Sequence, residues 1–334
     1  MSTNSSPADP DRRARLRALA LQTLVRDNFA VDGFSAAVGL SRGAAGVHDG
    51  TAYVLVDDSP ERGLGAALAW ALRHEAATVR VLASGSTGLL ARRATEFALD
   101  VSVWHVDERL VVEAIAEPLP EQATVPDAHL AFADVIRSAG AEVRVEHGVM
   151  AGEVVGLEVC RVVTDPHTGV HRLEVGVGAH DREAFGMLHG DTPTAESLAR
   201  IVEVVRRHRS PGADPHPLNR LGAERALRER LIDDPSLAGL ARLEASAPPI
   251  PRANLKDPIP CVATGVDDEG RPAVVVCSVG IDLDVVPFAA DARLAAGDPD
   301  ARLLVVVPGR DAVPLTERLA ASLRRPASVL PVAP

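Results

Sequence analysis

Residues 50–106 read GTAYVLVDDSPERGLGAALAWALRHEAATVRVLASGSTGLLARRATEFALDVSVWHV. The run AYVLV is short, apolar throughout and closed by the turn-forming DDSPERG, which predicts a strand rather than a helix. GLGAALAWALRHE is longer and rich in Ala and Leu, which predicts a helix. TVRVLAS then gives a second strand, TGLLARRATEFA a second helix and DVSVWHV a third strand. Strands that are apolar along their whole length and joined through helices are parallel and covered on both faces.

The same order recurs at 270–332, GRPAVVVCSVGIDLDVVPFAADARLAAGDPDARLLVVVPGRDAVPLTERLAASLRRPASVLPV. AVVVC corresponds to AYVLV, RLLVVVP to TVRVLAS, and AVPLTERLAASL to TGLLARRATEFA. Each copy follows a hairpin partner: SAAVGLSRGAAGVHDG before the first, and PCVATGVDDEG before the second, where DDEG is a turn signal. The expected fold is α/β, with internally repeated strand–helix units whose Val-rich sheets are mixed or parallel. The chain divides in this reading into a loose tail (1–10), an N-terminal α/β domain (11–118), a central hairpin-containing unit (126–210) and a C-terminal α/β domain (219–334). A helix over 11–28 carries Leu16, Leu19, Leu21 and Leu24 at helical spacing.

The bulk composition fits several cores and narrows the function classes. At 334 residues the chain exceeds one ordinary core. Aromatics are 3% against 46% hydrophobic residues, so the cores must be built from Val, Leu and Ala. Lys256 is the single lysine, an Arg/Ala/Val bias that reflects a GC-rich genome and leaves one candidate for any lysine chemistry. The net charge of −11 argues against a protein that coats nucleic acid non-specifically. Cys160, Cys261 and Cys277 are far apart, with no C-x-x-C pair, and suggest a reducing compartment without a disulfide framework or zinc site. The N-terminus lacks the apolar core of a signal peptide, and no apolar run is long enough to cross a bilayer. A cytoplasmic location is therefore expected.

The central unit differs from the repeats. A helix over 126–139 leads to AEVRVEHG, then to a strand over 152–163, the turn TDPHTG, and a strand over 170–178. A helix near 181 and another over 193–209 follow, the latter with Thr192 as N-cap, Pro193 at its first turn and an apolar stripe of Leu198, Ile201, Val202 and Val205. The turn suits a four-residue loop, Pro166 to Gly169, with Gly169 left-handed and Asp165 opposite Val170. That register places Arg161 opposite Glu174 and Glu158 opposite Val177. The two glutamates then lie on opposite faces, Glu174 beside Arg161 and Glu158 among Val154, Cys160, Val162, Val175 and Val177.

The helix–hairpin–helix order of this unit resembles the PD-(D/E)XK nuclease fold, over about 80 residues. The resemblance implies that Glu158 is the first metal-binding acid and Glu174 the second, holding Mg²⁺ through hard oxygen ligands. In that family an E-x-K lysine helps to activate the attacking water. Here the triplet is Glu174-Val175-Gly176, so the motif is degenerate and its lysine is glycine. His180 and Asp181 stand just beyond the strand as further candidate catalytic groups. Asp181 and Glu183 also suit the first turn of a helix, where negative charge is favourable. YVLVDDSPERG is similar to the strand-and-two-acids motif of phosphoribosyltransferases, but Glu61 stands where that motif needs a small, anion-cradling residue.

Residues 200–230 hold eight arginines and four acids. Arg206, Arg207, Arg209, Arg220, Arg225 and Arg228 are candidates for phosphate contacts there. The spacing of Glu224–Arg228 and Arg225–Glu229 also suits ion pairs along the solvated face of a helix. The sequence thus suggests a non-catalytic, degenerate nuclease-like protein that binds nucleic acid or a protein partner and needs no cofactor. The alternatives are an active Mg²⁺-dependent nuclease using Glu158 and Glu174, and a structural adaptor.

Overall fold

The fold was obtained as a computed structural model, which describes residues 10–34, 38–40, 42–178, 182, 195–210, 212–214, 216–251 and 259–333. It is α/β, with open sheets that mix parallel and antiparallel strands. The first sheet has six strands in chain order: β1 (Val38–Leu40), β2 (Gly43–His48), β3 (Thr51–Val56), β4 (Thr78–Ala83), β5 (Asp100–Asp107) and β6 (Leu110–Glu113). β2 and β3 form the expected antiparallel hairpin, and β3, β4 and β5 are parallel. Their crossovers are α2 (Leu64–Arg73) and α3 (Thr87–Ala94).

The last sheet repeats this plan. It orders β11 (Arg242–Ser246), β12 (Cys261–Val266), β13 (Pro272–Cys277), β14 (Arg302–Pro308) and β15 (Ser328–Val332). β12 and β13 are antiparallel, while β13 and β14 are parallel. The helices α8 (Val285–Ala295) and α9 (Pro314–Ala321) occupy the places of α2 and α3 in the chain.

Helix α1 (Pro10–Phe29) covers one face of the first sheet. Leu21, Leu24 and Val25 are buried there with Tyr53, Leu55 and Leu82. Leu16 and Leu19, expected on the same stripe, are more than half exposed. The packed face of α1 is thus rotated from Leu16 and Leu19 onto Ala14 and Ala18, which lie against β1 and this core.

The compact units do not follow chain order. One consists of residues 1–118 with 281–291 and 312–329, and the other of 119–280 with 292–311 and 330–334. In the first, charge fixes the distant segments. Arg92 grips Asp291 with two hydrogen bonds, at 2.7 and 3.1 Å, and Arg93 donates a third at 3.2 Å. Asp291 is fully buried, and both arginine side chains are at least nine-tenths buried. Asp284 accepts the Gly65 N–H at 2.9 Å, at the start of α2. Gly65 is required here because a Cβ would lie 2.2 Å from the Leu283 carbonyl oxygen.

In the second unit the central sheet runs β10 (His171–Val175), β9 (Leu157–Thr164), β8 (Val149–Val154), β7 (Glu142–Glu146), all antiparallel. The expected helix over 126–139 is broken into α4 (Asp127–Leu130) and α5 (Ala133–Ser138). The expected single strand over 152–163 is two strands, joined by a two-residue turn at Val155 (φ 47°) and Gly156 (φ 71°). Positive φ at both residues is the hairpin geometry that Asn-Gly usually announces, and a β-branched residue rarely adopts it. Two contacts hold the turn: Arg209 donates to the Val155 carbonyl, and Gly156 lies where a Cβ would meet the Arg225 carbonyl carbon at 2.4 Å. The β9–β10 turn is as expected, with Gly169 left-handed at φ 71° and the Asp165 N–H donated to Val170 O.

Helix α6 (Ala195–Arg209) buries Leu198, Val202 and Val205, and Ile201 is partly buried at the edge of that stripe. Thr192 and Pro193 lie outside the described residues, as do the tail at 1–9, Lys256 and the expected helix near 181 apart from Arg182.

Two stability experiments test this account of the first unit. Asp291→Ala leaves two buried guanidinium groups without their acid and should lower unfolding free energy by about 3–5 kcal/mol in urea titration; a loss below about 1 kcal/mol would contradict it. Burial pushes the Asp284 carboxyl up to about 6, from 3.8. Folding therefore favours the neutral acid, and that contribution is complete below pH 3.8 and is lost as pH rises through about 6. Asp284→Asn removes the dependence, so its stability relative to wild type should rise by up to about 3 kcal/mol between acid and neutral pH.

Candidate functional site in the central sheet

One face of the central sheet is apolar and the other is charged. Gly152, Val154, Leu157, Val159, Cys160, Val162, Leu173 and Val175 face the core under α5 and α6. Both Val159 and Cys160 do so because β9 carries an extra residue: Gly152 pairs with Cys160 but Glu153 pairs with Glu158, which leaves Val159 between them. Such a bulge reverses the alternation of side chains. It turns Glu158 away from the valines expected around it and onto the face of Arg161.

The β9–β10 register is the expected one, with Glu174 opposite Arg161. With the bulge, Glu158 and Glu174 therefore converge. They meet on arginine. Arg161 clasps Glu158 with two hydrogen bonds, at 2.9 and 2.8 Å, and Arg182 donates a third at 2.9 Å. Arg182 also lies 3.7 Å from Glu174, whose other oxygen accepts from Arg172 at 3.0 Å. The expected Arg161–Glu174 pair is thus replaced by Arg161–Glu158, because the bulge brings Glu158 onto the face of Arg161 and within its reach.

These carboxylates do not fit a metal centre. Every oxygen of Glu158 and Glu174 faces a guanidinium, so a divalent cation would have to displace Arg182 and Arg161 and bind against their positive charge. Among the described residues no group of three or more His, Cys, Asp or Glu side chains could hold a metal ion. His180 and Asp181 lie outside the described residues. Burial also pushes the Cys160 thiol on the apolar face up to about 12, which disfavours its thiolate.

The charged face continues across β8 and β7 to helix α7 (Ala223–Asp233). Arg228 donates to Glu146 at 3.2 Å, Glu153 at 3.1 Å and Glu229 at 3.1 Å. Arg225 pairs with Glu146 and Glu153, and Arg144 with Glu142 and Glu229. Burial alone would raise the Glu229 carboxyl, but Arg228 and Arg144 beside it hold it below the usual range. The α7 acids and arginines expected on a solvated face are in fact its buried face, at 7% exposure or less for Glu224, Arg225, Arg228 and Glu229.

That burial removes Arg225 and Arg228 from any phosphate-binding surface. Arg209 is also turned inward, donating to the carbonyls of Val155, Leu218 and Leu221, and burial brings its guanidinium down to about 10. Arg206 donates to Gly140 O at 2.6 Å, and Arg207 and Arg200 pair with Glu203 and Glu196 one turn away on α6. Arg220 is exposed in a short 3-10 turn. Charge density in the sequence thus becomes backbone capping and ion pairing in the fold. The chain matches no family model, and no curated protein or solved structure shows significant similarity to it.

One further constellation had no signal in the sequence. His129 Nε2 and His171 Nδ1 lie 2.8 and 2.9 Å from the Thr164 hydroxyl, which bridges the two rings. Burial, and then His171, hold the His129 imidazole below its usual value. The bridge ties α4 to the turn end of the β9–β10 hairpin, and its members are too far apart in sequence to form a motif.

If the two glutamates are structural, their substitutions separate by burial. Glu158 has 3% of its side chain exposed and Glu174 has 28%. Glu158→Ala should cost about 3–5 kcal/mol of unfolding free energy and Glu174→Ala about 1 kcal/mol or less, both read by urea denaturation. Equal, near-zero costs would mark a pair maintained for chemistry instead.

Proposed function

We propose that the chain is a non-catalytic binding protein whose central unit is a degenerate, nuclease-like scaffold, and that its partner is a protein rather than nucleic acid. The observation that carries this reading is Arg182 standing between Glu158 and Glu174, where an active metal-dependent nuclease needs a cation and a water. Glycine at 176 in place of the lysine supports the same reading. The exposed side of α6 alternates signs through Arg200–Glu196 and Arg207–Glu203, which gives little surplus charge for a phosphate backbone. A protein partner is supported by the edge strand β6, where Leu110, Val112 and the following Ile115 are 61, 52 and 89% exposed.

Incubating the full chain with supercoiled plasmid or single-stranded RNA and added Mg²⁺ or Mn²⁺ should leave both substrates intact. Metal-dependent cleavage that disappears in Glu158→Gln would overturn the non-catalytic reading. Mobility-shift titration at physiological salt should show duplex binding no tighter than the ~10⁻⁴ M end of the non-specific range. Tight, salt-sensitive binding lost in the Arg200/Arg206/Arg207 triple-alanine variant would instead assign the partner as nucleic acid.

A further inference from the structure

A cleft of about 320 Å³ opens in the first compact unit at the C-terminal end of β3. That volume is at the low end of pockets that take small organic molecules, and the carboxyl ends of parallel strands are where α/β sheets place ligands. Its floor is Val54, Leu55 and Val56, with Ala66 and Ala67 of α2 on one side and Leu283 on another. Nothing in this cleft draws on the central sheet, so it stands apart from the reading above.

The walls are fixed before any ligand arrives. The Gly65–Asp284 hydrogen bond joins the start of α2 to the 281–284 segment, and the Arg62–Asp282 ion pair at 2.7 Å closes a second point. Those two contacts also engage three of the charged groups around the cleft. Nearby, Asp57 is paired with Arg17 at 2.7 Å. Arg42 is different. It is exposed and lines the cleft, and among the described residues its side chain makes no ion pair or hydrogen bond. Its carbonyl accepts the N–H groups of Asp57 and Asp58, at 3.0 and 3.2 Å, which fixes the backbone from which the guanidinium extends.

A largely apolar, prebuilt cleft beside an unengaged guanidinium selects a molecule with an apolar body and one anionic group, because Arg42 matches the carboxylate fork while Arg62 and Asp282 in the lining are paired with each other. We propose that this cleft binds a small amphipathic carboxylate, with its apolar part on the Val54–Val56 floor and its carboxylate at Arg42.

Titration calorimetry on the full chain with octanoate and with octylammonium tests the assignment. Octanoate should bind at one site, and octylammonium at least about tenfold more weakly. Ala66 is exposed on the cleft side of α2, so Ala66→Trp fills the cleft without entering the core and should abolish octanoate binding. Arg42→Glu should weaken it by about tenfold or more. The proposal is overturned by an absence of saturable octanoate binding, by equal affinity for the two amphiphiles, or by octanoate affinity unchanged in both variants.

Discussion

Arg228 has 1% of its side chain exposed, and three carboxylates from two strands and its own helix surround it. A guanidinium buried alone would cost several kcal/mol, so these acids must sit where they do once the arginine is inside. The central sheet consequently cannot be read as a sheet with one wet face. Its second face is a lattice in which Glu142, Glu146, Glu153, Glu158, Glu174 and Glu229 meet Arg144, Arg161, Arg172, Arg182, Arg225 and Arg228. Asp165 adds a further acid through Arg172 at 3.1 Å, so every arginine of the lattice is already engaged by a carboxylate.

The first compact unit uses charge in the same way on a smaller scale. Asp291 is shared by Arg92 and Arg93, which brings a segment from the end of the chain into the same unit as α3. Ion pairs of this kind specify which elements meet more than they add stability, since each burial carries a desolvation cost close to the Coulombic gain. With only 3% aromatic residues and cores of Val, Leu and Ala, the chain has few large, distinctive apolar shapes with which to specify packing. Buried arginine supplies the directional contacts that aromatics supply elsewhere.

What was legible in the sequence follows from this. The repeated strand–helix order was visible because apolar runs and Pro/Gly punctuation are local signals, and both flanking sheets have the expected hairpin and parallel pairs. The β9–β10 register was visible because Asp165 and Gly169 define one loop. The bulge at Val159 was not, since a valine among valines carries no local mark, and it alone decided which way Glu158 points. The turn at Val155-Gly156 was missed for a related reason: its positive φ is imposed by Arg209 and Arg225, both far away in sequence. Charged spacing on α7 was read as a wet face because i,i+4 pairs look the same whether water or a second charged surface lies opposite. The cleft at Arg42 had no motif to announce it, being assembled from β3, α2 and residues 281–284.

A double-mutant cycle between Glu153 and Arg228 tests most directly whether buried ion pairing holds the central sheet to α7. Unfolding free energies of wild type, Glu153→Gln, Arg228→Met and the double variant give the coupling. The account predicts a coupling of about 2 kcal/mol or more, with the double variant more stable than either single one. A coupling near zero, with single costs that simply add, would contradict it.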